Sequence, residues 1–99
     1  MSEALEKAAA ALAEKMAGSG FDAKARLEVE GEGAIVIDGE AVTVEDGEGG
    51  EADVTIRASL DTFREIFEGG LSATAAFMTG RMEVEGDMGA AMKLGQVLG

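Results

Sequence analysis

Histidine and cysteine are both absent from this sequence, which leaves twenty carboxylates and eight basic side chains as its charged groups, with six thioethers beside them. That absence removes thiol nucleophiles, Ser-His and Cys-His pairs, disulfides and zinc sites of the usual kind. Paired carboxylates can always be found among twenty acids. A glycosidase pair needs a separation of about 5–10 Å inside a cleft, which spacing along a chain does not supply. Between Leu27 and Ile56 there are ten acids and no base. The loop stretch, Asp46 to Asp53, departs from the D-x-[DN]-x-[DN]-G spacing of a calcium loop, so the acids read as a solvated face and no metal site is expected. Gly31-Glu32-Gly33 precedes no helical pattern and reads as a turn, not a phosphate cradle. No nucleophile motif appears, and neither an enzyme nor a cofactor is expected.

A second kind of chemistry, adaptable apolar contact, is concentrated near the C-terminus. Four of the six methionines fall between Met78 and Met92, beside Phe77, in a chain with four Phe and no Trp or Tyr. Unbranched, polarizable Met fills irregular space better than branched side chains do. Phe77, Met78, Met82, Met88 and Met92 therefore read either as a core filled with Met for want of aromatics, or as a cavity lining for a flexible ligand such as an acyl chain.

These side chains need elements to position them. Leu5, Ala8, Ala9, Leu12 and Met16 recur with the spacing of one buried helical stripe; Ser2 can cap that helix, Glu3 and Lys7 form an i, i+4 pair, and Gly18 and Gly20 end it. The period then changes to two. Leu27 and Val29, Ala34 to Ile37, Val42 and Val44, and Val54 and Ile56 predict four strands, joined through Gly31–Gly33, Asp38-Gly39 and the acidic stretch from Asp46 to Glu51. They are expected to form an antiparallel meander with one apolar face, which helices must cover. Leu60, Phe63, Ile66 and Phe67 share a helical face capped by Ser59 or Asp61 and stopped by Gly69-Gly70. Ser72 caps a short helix through Phe77 and Met78. Met82 and Val84 alternate with Glu83 and Glu85 in a fifth strand, and Asp87 caps a last helix carrying Met88, Ala91 and Met92 on one face. The predicted fold class is α+β: a five-stranded, mostly antiparallel sheet with helices covering one face, in the order α-ββββ-αα-β-α.

Composition bounds the partners. Ninety-nine residues at 46% apolar suit one small domain over 1–99 that buries a core, and a net charge of −12 removes the electrostatic term that nucleic-acid binding needs. Stable docking on anionic membranes is disfavoured for the same reason. No apolar run approaches the length of a membrane span and the N-terminal segment is no signal peptide, so a cytoplasmic location is expected.

The run Ala75-Ala76-Phe77-Met78-Thr79-Gly80-Arg81-Met82-Glu83-Val84-Glu85-Gly86-Asp87-Met88-Gly89-Ala90-Ala91-Met92-Lys93-Leu94 resembles the C-terminal signature of the sterol carrier protein 2 family, and Ala52-Asp53-Val54-Thr55-Ile56 resembles that family's fourth strand. The resemblance implies a five-stranded mixed sheet with helices enclosing an apolar tunnel for fatty acyl chains, acyl-CoA, phospholipids or sterols, with no chemistry done on the ligand. It implies that Phe77, Met78, Met82, Met88, Ala91 and Met92 line or gate the tunnel, that Phe63 and Phe67 close one wall, and that Gly80 and Gly86 set the turns around the fifth strand. Asp53 reads as structural. Glu83 and Glu85 stand where the family often carries Lys, and are expected beside the tunnel mouth, turning the carrier away from anionic lipid. The expected function is lipid binding or transfer; the alternative is a structural or interaction domain of the same fold, as a homodimer or as partner to an enzyme.

Overall fold

The computed structural model describes residues 3–46 and 50–98. The Ser2 cap and the centre of the acidic loop, residues 47–49, lie outside them. Helix α1 (Glu3–Met16) is followed by β1 (Lys24–Val29), β2 (Gly33–Asp38), β3 (Ala41–Glu45) and β4 (Val54–Ala58), then α2 (Leu60–Phe67), α3 (Ala73–Met78), β5 (Met82–Gly86) and α4 (Met88–Leu98). The expected α+β order is present, and each cap on a described residue is made. Ser59 Oγ accepts from the Thr62 amide at 3.2 Å and Ser72 Oγ from the Ala75 amide at 3.0 Å. Asp87 Oδ1 accepts from the Gly89 and Ala90 amides at 2.8 and 3.2 Å. Each cap satisfies amides that the first helical turn leaves without partners.

The sheet runs in the order β3-β2-β1-β4-β5. Three of its pairings are antiparallel, but β1 and β4 are parallel, with Leu27 opposite Ile56. The four-strand meander therefore ends at β3. The connection after β3 returns along the sheet and crosses to the far side of β1. About eight residues reach roughly 27 Å extended, enough for a diagonal of about 22 Å across three strand spacings. Gly50, towards its end, lies over the polar face, since a Cβ added there would lie 2.7 Å from Arg26 Nη1.

That crossing corrects a second expectation, that the polar face is simply solvated. Arg26 and Glu28 are 2% and 7% exposed there, beside buried Ala34 and Val36. Glu28 joins two arginines: its Oε2 accepts from Arg26 Nε at 3.0 Å, and its Oε1 accepts from Arg57 Nε and Nη2 at 3.0 and 2.8 Å. Arg26 Nη1 reaches Glu45 at 2.9 Å and Arg57 Nη1 reaches Glu83 at 3.4 Å. Burial works to lower the Arg26 pKa, but the hydrogen bonds and charges of Glu28 and Glu45 outweigh it and raise it. The hydrogen bonds that Arg57 donates to Glu28 first, and then to Glu83, raise its own pKa.

The opposite face carries the core. Ala25, Leu27, Val29, Ile35, Ile37, Val54 and Ile56 meet Leu5, Leu12 and Met16 from α1, Phe63 and Ile66 from α2 and Leu94 from α4. Ala8, expected in the α1 stripe, is only partly buried. Asp53 is structural: its Oδ2 accepts from the Lys24 amide and its own amide donates to the Lys24 carbonyl, both at 2.8 Å. Glu40, in the β2–β3 turn, accepts from the Gly18 and Gly20 amides at 2.9 and 3.1 Å, fastening the turn after α1 and holding its carboxyl below the usual range.

Candidate functional site

Helix α4 has more apolar surface than the core uses. Ala90, Leu94 and Leu98, four residues apart, are buried. Met88, Ala91, Met92, Gly95 and Gln96 form a second stripe at i, i+3, i+4, i+7 and i+8, which faces a cleft. Across it stand Ala73, Thr74 and Phe77 of α3, the Ile66 and Gly69 end of α2, and Leu71 and Ser72 from the intervening turn. Met82 and Val84 of β5 complete the lining, with Met82 buried. The cleft holds about 560 Å³, within the range of small-molecule sites. At Gly95 a Cβ would rest in ordinary contact, 3.9 Å from the Ala73 methyl across the cleft. Gly80 and Gly86 flank β5 at φ +79° and +108°, backbone that L side chains rarely adopt.

Of the eight residues singled out from the sequence, Phe77, Met82, Met88, Ala91 and Met92 come together around this space. Met78 does not. It is 78% exposed, because on a six-residue helix the turn that sends Phe77 to the cleft and Ala76 to the core sends the next side chain outward. Phe63 lies in the core, 6.3 Å centroid to centroid from Phe67. Phe67 lines a separate hollow of about 470 Å³ between α1 and α2, with Lys7, Ala8 and Arg64. The two rings thus form no wall of the cleft.

The site is an open cleft, with Phe77, Met88 and Met92 44%, 47% and 66% exposed along it. Glu83 and Glu85 are not at its mouth. Met82 and Val84 take the cleft side of β5, so the alternating glutamates fall on the other face, where Glu83 meets Arg57. Ser72, Thr74 and Gln96, the polar members of the lining, were missed in the sequence, although continuing the α4 stripe past Met92 by three and four residues would have reached Gly95 and Gln96. No group of three acids among the described residues is placed to hold a metal ion. No helix among them is long and apolar enough to cross a membrane.

A mixed sheet with helices on one face and a Met-lined cleft beside its edge strand defines a small α+β ligand-binding domain. Residues 2–99 match the SCP-2 sterol transfer family, and the chain belongs to that family. It is 41% identical over 49 residues to hydroxysteroid dehydrogenase-like protein 2 of Xenopus tropicalis, a match covering 50% of this chain and 12% of that protein. The crystal structure of sterol carrier protein 2 like 2 from Aedes aegypti superposes with a TM-score of 0.79 at 20% identity, covering 95% of both chains. The solution structure of the palmitated mosquito protein gives 0.71 at 23% identity, covering 99% of this chain and 95% of that one. Family and fold together mark a lipid-binding or lipid-transfer domain.

Proposed function

We propose that this domain holds the apolar part of a lipid in the cleft between α3, β5 and α4 and passes it on without chemical change. The observation that carries the reading is the second apolar stripe of α4, which leaves Met88 and Met92 half-exposed or more around a space of about 560 Å³. The palmitated state of the mosquito relative supports an acyl chain as one suitable occupant. Burying about twelve methylenes at roughly 0.8 kcal/mol each gives on the order of 10 kcal/mol. Lost translational and rotational freedom costs an estimated ~4–15 kcal/mol, which leaves about 6 kcal/mol at most, so binding in the range of tens of micromolar or weaker, with easy exchange, follows. Phe77, Met82, Met88, Ala91 and Met92 make the contact, and the chain enters from the open side of the cleft. Native mass spectrometry of protein from its own host, with displacement of Nile red by unlabelled lipid, tests this. A co-purifying lipid mass and full displacement are expected; a cleft that takes up no probe would refute it.

A second reading has its own support, because the curated relative is a far longer protein in which the matched part is a small share. In it the domain serves as an interaction module beside an enzyme, or pairs with a second copy. A stable dimer by light scattering with no bound lipid would favour it.

A further inference from the structure

We propose that the cleft selects uncharged lipids, whose polar end is a hydroxyl, ester or amide, over lipids ending in a carboxylate or phosphate. This rests on the lipid-cleft reading and deepens it. Among the described residues none that lines the cleft carries a charge. The polar lining is Ser72, Thr74 and Gln96, whose hydroxyl and amide groups donate and accept without adding charge. Ser72 Oγ already accepts from the Ala75 amide, leaving its O–H to donate.

No basic side chain among the described residues lines the cleft, and bases flanking its elements have other partners. Arg81, just before β5, donates to Glu65 and to Thr62 Oγ1. Lys93, on α4, is 3.6 Å from Asp22, and Lys15 of α1 reaches the Leu98 carbonyl at 3.5 Å at the helix's far end. An anionic head drawn into the cleft would thus be desolvated without a counter-charge. An anionic head left outside would sit in the field of a chain of net charge −12. Both placements penalise an anion, and neither penalises an alcohol or ester.

The test is displacement of Nile red by dodecanol and by dodecanoate, below micelle-forming concentrations and well above the pKa of the free acid, on the unaltered protein and on Gln96→Lys. Gln96 is exposed on α4, so the new lysine reaches the cleft without disturbing the core. Dodecanol is expected to displace the probe at a concentration at least tenfold below dodecanoate. Gln96→Lys should tighten dodecanoate threefold or more and so narrow its gap to dodecanol. Equal affinities on the unaltered protein would overturn the selectivity while leaving the lipid cleft standing. A gap that Gln96→Lys leaves unchanged would also overturn it, since simple partitioning would then account for the difference. Displacement by neither lipid would refute the lipid-cleft reading itself, and the selectivity with it.

Discussion

Replacing Glu28 by Gln keeps the shape of the side chain and removes the charge that joins two arginines. Arg26 is the vulnerable partner, because its side chain is 3% exposed while that of Arg57 is 36% exposed and can turn to water. A glutamine offers one acceptor oxygen and one amide nitrogen, so whichever arginine meets the nitrogen faces donor against donor. Removing one member of a buried pair costs about 3–5 kcal/mol. Arg26 keeps Glu45, itself half-exposed, which places the expected loss at the lower end, about 3 kcal/mol. In a domain this size that lowers the melting temperature by roughly 12–24 °C. Calorimetry and urea denaturation of Glu28→Gln would measure it, with Glu3→Gln as control. The Glu3–Lys7 pair spans 3.7 Å between side chains at least 80% exposed, so its loss should stay below about 1 kcal/mol. The double variant Arg26→Met with Glu28→Leu should recover most of the stability, because apolar replacement of a buried ion pair is often neutral or better. A Glu28→Gln protein no less stable than the Glu3→Gln control would refute the reasoning.

Three further outcomes are expected. The folded-state pKa of Glu40 is lowered by the Gly18 and Gly20 amides, so its contribution to stability is present at neutral pH and is lost as pH falls below about 4.5. Carboxyl titration by NMR should place Glu40 below the ordinary glutamate range, and the difference in urea midpoint between the unaltered protein and Glu40→Gln should vanish in acid. Ala91→Trp, which fills the cleft from α4, should weaken Nile red binding at least tenfold with little change in melting temperature, while Met78→Ser, on a side chain outside the lining, should leave binding within twofold. Gly86→Ala should destabilise the fold by more than about 1 kcal/mol in chemical denaturation, because the residue sits at φ +108° and an added Cβ would collide with the Asp53 carbonyl and lie 3.1 Å from Val54 Cα.

Periodicity made the elements legible and left their partners open. Alternation in β1 and β4 tells which side chains share a face, and that pattern is the same for parallel and antiparallel neighbours, so the β1–β4 pairing could not be read from it. The same alternation did hold the answer for Glu83 and Glu85: flanking Met82 and Val84, they had to point away from any cavity those residues line. The buried ion network was hidden by where the acids were counted, because Arg26 and Arg57 lie just outside the base-free run from Leu27 to Ile56. Of the five cleft candidates that came together, Met82, Met88, Ala91 and Met92 did so because spacing on α4 and β5 reports a face directly, and Phe77 joined them from α3. Phe63, Phe67 and Met78 did not, since on short helices neighbouring apolar residues are divided among core, hollow and solvent by tertiary packing.

The strand order β3-β2-β1-β4-β5 also describes a history. Within the domain the first strand to leave the ribosome is the central one, and every later strand joins an edge still open when it arrives: β2 and then β3 on one side, β4 and then β5 on the other. No strand has to be inserted between two already paired, so the sheet can be assembled outward in the order in which it is synthesised. The last additions within the domain, β5 and α4, complete the cleft, and the cleft is therefore the last part of the domain to form.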